Sequence, residues 1–226
     1  MSICIIPARS GSKRIKNKNI KLFFGKPLIY YSIKLALKTK LFKRVLVSTD
    51  SKKIARIAKS YGAEVPFLRS KKISNDKAPI HKVLKETIKN LGLKSQFVVC
   101  LYPTAPLLKA DDLKRGLRKA KKNYDQVIAI SKFQSPIQRA FRVYNNKYIK
   151  FINPKYKYYR SQDLENSYFD TGTFAIYKTN IIKNYIKKKN LKIGFIEIDK
   201  LSAIDINEKE DFEYAKILFK LKKYVN

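Results

Sequence analysis

Five consecutive apolar residues, Phe97-Val-Val-Cys-Leu101, run straight into Tyr102-Pro103. The run is too short for a helix and has no polar alternation. It reads as a strand covered on both faces, the setting of a parallel sheet between helical layers. Similar runs recur at Ile3–Ile6, Val45–Val47 and Gln126–Ile130, with segments of helical period between them. Leu28, Ile29, Ser32, Ile33, Ala36 and Leu37 share one face, and Ile54, Ile57 and Ala58 share another. A third helix is expected from Ile80 to Leu91. A fourth ends near Lys122, with Asp111 or Asp112 as its cap. This alternation predicts an α/β, doubly wound, mainly parallel sheet with right-handed crossovers. Glu64–Leu68 is expected as another extended piece. Gly25-Lys26-Pro27 reads as a turn, Ser48–Ser51 offers N-caps, and Gly62 reads as a left-handed C-cap.

The alternation fails between about residues 131 and 170. This stretch is basic and aromatic, with Phe133, Phe141, Tyr144, Tyr148, Phe151, Tyr156, Tyr158 and Tyr159. Asn145-Asn146 lies between two β-like runs and predicts a hairpin. We expect a small inserted β-rich excursion that covers a pocket or meets another subunit. Regular structure resumes at Thr173–Tyr177, followed by a helix near Asn180 to Lys187 and a strand near Ile193 to Ile198. The final helix starts after Asn207 and places Phe212, Ala215, Leu218 and Phe219 on one face. No repeat or linker is visible, so residues 1–226 read as a single domain.

Lys and Arg number 51 against 17 Asp and Glu, a formal charge of +34. Nucleic-acid binding is one reading of that excess. The other is a lysine-rich surface, since Lys34, Lys38, Lys59, Lys85, Lys119 and Lys216 scatter over separate helices. No zinc-finger, KH or RNP motif is present, so no specific nucleic acid is expected as partner. A non-catalytic nucleic-acid-binding protein stands as the alternative of another class. No uncharged apolar run approaches the roughly 18 residues of a membrane helix, and no signal peptide is seen, so a cytoplasmic address and no membrane partner are expected. Cys4 and Cys100 sit inside apolar runs and read as buried and reduced. His81 has no nucleophile or second acid at triad spacing and reads as a packing or surface residue.

The chemistry concentrates after the first strand. Arg9, Lys13, Arg14, Lys16 and Lys18 surround Gly11 without an intervening acid. Backbone N–H groups and cations in such a loop suit a polyphosphate. The loop is neither a Walker P-loop nor a Rossmann Gly-x-Gly-x-x-Gly turn. In doubly wound sheets ligands bind beyond the carboxyl ends of the strands. The loops Arg9–Asn19, Ser48–Ser51, Arg69–Asp76 and Tyr102–Pro106 can therefore converge on one crevice.

The order Ile5-Ile-Pro-Ala-Arg-x-Gly-Ser-Lys-x-Ile-x-x-Lys-Asn19 resembles the signature of the acylneuraminate cytidylyltransferase family. The resemblance continues through Val47–Asp50, Ala63–Val65 with Arg69, Pro103–Pro106 and Ile204–Ile206. Leu101-Tyr-Pro-Thr-Ala-Pro106, Arg160-Ser-Gln-Asp-Leu164 and Tyr168-x-Asp170-x-Gly172 are similar to the pseudaminic acid branch. Phe169, Thr171 and Thr173–Tyr177 depart from it. The N-acetylneuraminic and legionaminic acid branches are the alternatives. The resemblance implies a nucleotide-diphospho-sugar transferase-like fold, of Rossmann type. It implies attack of a nine-carbon α-keto sugar acid's anomeric hydroxyl on the α-phosphate of CTP, with release of pyrophosphate. Positioning and electrostatics dominate such a step.

By match to the family motif, Arg9 and Lys18 are the expected catalytic residues. Ala8, Arg9, Ser10, Gly11, Lys18, Asn19, Arg69, Ser74 and Asp76 are expected at the nucleotide. Tyr102, Arg160, Gln162, Asp163 and Asp170 are expected at the sugar. Lys13, Arg14 and Lys16 also read as solvated surface, and Thr49-Asp50 as structural capping. Mg2+ is the expected cofactor, held by Asp205, because a divalent ion screens the phosphates and the leaving pyrophosphate. Asn207 stands where the family has a second carboxylate. It offers a carbonyl oxygen, or an N-cap with Glu210 as its partner. A homodimer completed by the mid-chain excursion is also implied.

Overall fold

In a computed structural model, residues 2–184 and 190–225 are described, the side chains of 222–225 excepted. The chain opens with strand β1 (Ser2–Pro7), a tiny hairpin of β2 (Leu22–Phe23) and β3 (Lys26–Pro27), and helix α1 (Leu28–Thr39). Then come β4 (Phe42–Ser48), α2 (Lys52–Ser60), α3 (Ile80–Asn90), β5 (Phe97–Leu101), α4 (Ala110–Ala120) and β6 (Gln126–Lys132). The mid-chain excursion holds β7 (Phe141–Tyr144) and β8 (Tyr148–Phe151). The chain returns through β9 (Tyr168–Lys178), α5 (Thr179–Asn184), β10 (Ile193–Glu197) and α6 (Lys209–Val225).

Six strands form the central sheet in the order β10-β6-β9-β5-β1-β4. β1 is parallel to β4 and β5, and β10 is parallel to β6. β9 runs antiparallel to both of its neighbours, β5 and β6. The sheet is thus mainly parallel, with one reversed strand at its middle.

Every residue of β5 is buried, as its unbroken apolar sequence requires. Alternation along the strands divides the core into two layers. Cys4, Ile6, Val99 and Leu101 face Ile29 and Ile33 of α1, Ala58 of α2 and Leu113 of α4. Ile3, Ile5, Val98 and Cys100 face Leu84 and Ile88 of α3 and Ile182 of α5. The cysteines therefore occupy opposite layers, buried and free, and burial pushes the Cys100 thiol up to about 12. A third cluster joins Ile15, Phe23 and Leu28 to Ile206, Phe212 and Ala215. There Phe23 meets Tyr31, Phe212 and Phe219 edge-on at 5.2, 5.6 and 5.3 Å.

Several local expectations hold. Gly62 follows α2 at φ +93°, and Asn145 and Asn146 take φ 49° and 53° between β7 and β8. Those angles are the left-handed pair that a two-residue hairpin demands. Other expectations need correction. The extended piece at Glu64–Leu68 is reduced to one parallel bridge, Leu46 to Glu64; Pro66 has no N–H with which to extend it. At α4 the acid acts from the third helical position, where Asp112 accepts the Lys109 backbone N–H at 3.2 Å. The expected helix from Asn180 to Lys187 is seen as α5, and its later residues fall outside the described ones. Among the described residues no helix is long and apolar enough to cross a membrane.

Candidate active site

The basic loop leaves β1 at Pro7 and is fastened at several points. The Ala8 N–H donates to the Ser48 carbonyl at 2.9 Å, which continues the β1–β4 ladder by one step. Asn19, itself buried, donates from Nδ2 to the Arg9 carbonyl at 2.9 Å. Asp50 takes both hydrogen bonds Ser10 can give, from N at 2.8 Å and from Oγ at 2.7 Å. Asp50 therefore caps the basic loop, while Ser51 caps α2 by accepting from Ile54 N at 3.3 Å. Arg9 donates to the Gly11 carbonyl at 2.5 Å and pairs with Asp76. Lys13 reaches the other Asp76 oxygen at 2.8 Å. The hydrogen bond from Lys13, joined by the Arg9 charge, holds the Asp76 carboxyl below the usual range.

The opposite wall comes from the segment before α6. Lys18 donates from Nζ to the Ile206 carbonyl at 2.6 Å. Burial lowers its pKa, and nearby Asp205 partly opposes that shift. Ile15 and Ile206 share the third apolar cluster, so packing and hydrogen bonding join the two walls. Arg14 Nη2 donates to Asn207 Oδ1 at 3.2 Å, and Asn207 Nδ2 donates to Asp205 Oδ2 at 2.8 Å. Asp211 accepts the backbone N–H groups of Asn207 and Glu208, both at 2.8 Å. The capping acid of α6 is thus Asp211 at the third helical position, and Glu210 does not play that part. Gly172, at φ +60°, lies against Asp205; a Cβ there would sit 2.9 Å from Oδ2. The Gly172 N–H donates to Asp170 Oδ1 at 3.0 Å.

Between these walls lies a cleft of about 300 Å³. Arg9, Lys18, Asn19, Arg69, Asp76, Tyr102 and Asp205 line it together. Ala8, Ser10 and Gly11 form the backbone turn behind Arg9. Arg69 is 6% exposed and spends Nη2 on the Ser48 carbonyl at 2.9 Å. Its buried Nε has no hydrogen-bond partner among the described residues. Burial lowers its pKa, partly offset by Asp50 and Glu86. The Tyr102 hydroxyl has its pKa raised by the neighbouring Cys100 and by burial, so it stays a neutral hydrogen-bonding group.

Not all of the sequence-predicted residues gather here. The Ser74 hydroxyl donates to the Ser70 carbonyl at 2.8 Å and closes its own turn. Gln162 borders a separate hollow with Lys132–Pro136 and Leu164–Ser167. Arg160 and Asp163 are exposed on the excursion's 3-10 turn. Asp170 is exposed, does not line the cleft and accepts the Gly172 N–H. In sequence Asp50 reads as capping, and here it caps the basic loop; Arg14, which reads as solvated surface, bonds Asn207. Asp50 directly follows β4, beside the loop after β1, and that adjacency was the available signal. Arg14 carried no local signal, since its partner lies 193 residues away.

A sheet that delivers cations from its first strand to a cleft faced by Asp205 is suited to a nucleotide polyphosphate. The chain belongs to the cytidylyltransferase family, whose model matches residues 3–225. It is 40% identical to the pseudaminic acid cytidylyltransferase of Campylobacter jejuni, over 97% of each chain. It is 33% identical to the N-acylneuraminate cytidylyltransferase of Escherichia coli, over 94% of this chain and 51% of that one. Among solved structures, a CMP:2-keto-3-deoxy-manno-octonic acid synthetase complexed with CTP superposes with a TM-score of 0.76. At 16% identity, over 98% of this chain and 99% of that one, it shares the fold. The chain is a CTP-dependent enzyme by family, and the reading as a non-catalytic nucleic-acid-binding protein gives way.

Proposed function

We propose that this enzyme activates pseudaminic acid, joining it to CMP from CTP and releasing pyrophosphate. The observation that carries the choice of sugar is the 40% identity, end to end, with the Campylobacter jejuni enzyme. The cleft supports the reaction. Arg9 and Lys18 converge on the space a triphosphate would fill, where preorganised cations stabilise charge developing on phosphoryl oxygens. On binding, the triphosphate takes Arg9 over from Asp76. The unpartnered Arg69 Nε is a buried donor for the cytosine edge, since a buried donor left unmade is costly. Tyr102 and Asp170 face the sugar.

Magnesium belongs to the same proposal. The space above Asp205 is kept open by the missing side chain of Gly172. Asp205, with phosphate oxygens and water, would hold Mg2+, which neutralises charge on the leaving pyrophosphate. Cytoplasmic action and a homodimer that brings Arg160, Gln162 and Asp163 to the partner's cleft complete the reading. The exposed Phe141, Ile149, Ile152 and Tyr158 support such an interface. Pyrophosphate release, measured with CTP, Mg2+ and a panel of pseudaminic, legionaminic and N-acetylneuraminic acids, tests it. Fastest turnover is expected with pseudaminic acid. Preference for another acid overturns the sugar, and no release with any overturns the reaction.

A further inference from the structure

Asn207 occupies the place of a second carboxylate, but its hydrogen bonds give it different work. An Asn amide has one acceptor oxygen and one donor nitrogen, and each makes one of these contacts. Arg14 donates to Oδ1 at 3.2 Å. Nδ2 donates to Asp205 Oδ2 at 2.8 Å. The orientation is forced, because turning the amide over would set donor against donor at Arg14 and acceptor against acceptor at Asp205. On the other side Gly172 leaves room for the same oxygen, since a Cβ there would stand 2.9 Å from it. Oδ2 is thus held by the Asn207 amide. Glu208, at 3.5 Å from Arg14, steadies the guanidinium at the far end.

Resting on the cytidylyltransferase reading above, we propose that Asn207 and Arg14 are positioning residues that act as one unit. Arg14 orients the Asn207 amide, and the amide holds the Asp205 carboxylate in the rotamer that faces the cleft. The Asn207 oxygen faces the Arg14 guanidinium, whose positive charge disfavours a cation beside it. The unit also ties the basic loop to the acid wall, so the group that receives the triphosphate and the group that balances it move together. Residues that fix a reacting geometry act on turnover more than on substrate affinity.

The test uses the full chain in two arms. In the first, the side-chain amide signal of Asn207 is located in a 15N correlation spectrum of the free protein by its loss in N207L. R14Q and D205N are each expected to shift that signal. A signal unmoved by R14Q overturns the proposal, whatever the enzyme's activity. In the second arm, R14Q and N207L are each expected to lower kcat about tenfold while changing the CTP KM less than about threefold. The double variant should fall no further than the worse single one, because the two act through one contact. Losses that multiply to about a hundredfold overturn the unit. Losses confined to KM overturn the positioning role. Thermal melting of each variant checks folding. If the wild type releases no pyrophosphate, the reaction reading fails, and the spectral arm still decides the contact.

Discussion

The basic loop at residues 8–19 and the excursion at 133–167 are both irregular, both cationic and both mounted on the central sheet, but they are held in opposite ways. The loop is anchored to distant parts of the chain: Ser48, Asp50, Ile206 and Asn207 all bond to it. The excursion closes on itself. The Ile152 N–H donates to the Ala140 carbonyl at 2.9 Å and Gln138 to the Glu165 carbonyl at 2.9 Å; Phe133 N–H meets the Ser167 carbonyl at 2.9 Å. Its large side chains, Phe141, Val143, Ile149 and Tyr158 among them, remain exposed. Polar side chains are thus spent on the geometry of the basic loop, and apolar ones are left uncovered on the excursion. On the proposed reading, order in the loop favours binding of the triphosphate, since ordering it on binding would cost affinity.

Substitutions can break this contrast, beginning with the largest effect. Asp205→Ala is expected to reduce kcat by roughly 100- to 1000-fold, with the melting temperature within about 2 °C of wild type. Steady-state pyrophosphate release and a thermal melt check both halves, and a variant of undiminished rate would remove Asp205 from the site. Gly172→Ala comes next. Its φ of +60° disfavours a side chain, and the new Cβ would meet Asp205 at 2.9 Å. A kcat loss of roughly tenfold to 100-fold is expected, with CTP binding by calorimetry nearly intact.

Asp50→Ala sharpens the contrast from the side of the tethers. Losing both hydrogen bonds to Ser10 is worth about 1–3 kcal/mol of local order. CTP should bind about tenfold more weakly, and amide exchange should quicken in residues 9–13 but not in the excursion. A pH series bears on Lys18. Burial lowers its pKa in the free protein, and a bound triphosphate favours the charged ammonium and raises it again. CTP affinity should therefore fall as pH rises through the lowered value, and Lys18→Met should remove that dependence. The smallest effect is expected in the excursion. Replacing Asn145 and Asn146 together by Ala strains two left-handed residues by about 1–2 kcal/mol each. It should loosen the hairpin by amide exchange and leave the rate of the isolated subunit within about twofold.

Much of this organisation was legible in the residues. The unbroken Phe97–Leu101 run announced a central strand, and Asn145-Asn146 announced a hairpin, because each depends on local sequence alone. The reversal of β9 was not legible. Thr173–Tyr177 is as apolar as the parallel strands, and apolarity carries no direction. In the site, the cations of the basic loop were visible as a group, and the family motif set Arg9 and Lys18 above Lys13, Arg14 and Lys16. What Lys13, Arg14 and Lys18 each touch was not legible. They are distinguished by Asp76, Asn207 and Ile206, partners that only the folded chain brings near. Asn207 reads as a carbonyl ligand or an N-cap because a motif compares residue types. Its hydrogen bonds to Arg14 and Asp205 show what the amide is used for.

The antiparallel strand also has a consequence for how the chain is made. β9 lies between β5 and β6, so neither can find its inner neighbour until residue 178 has been synthesised. Until then the nascent chain carries two apolar strand edges, Val98–Leu101 and Val127–Ile128, that would pair wrongly with each other if they met. The roughly 35 polar and aromatic residues of the excursion are threaded between β6 and β9 and delay the completing strand further. Folding of the sheet is therefore a late, long-range event, the kind that proceeds slowly and exposes strand edges to aggregation. A shorter excursion would be expected to hasten the closing of the sheet.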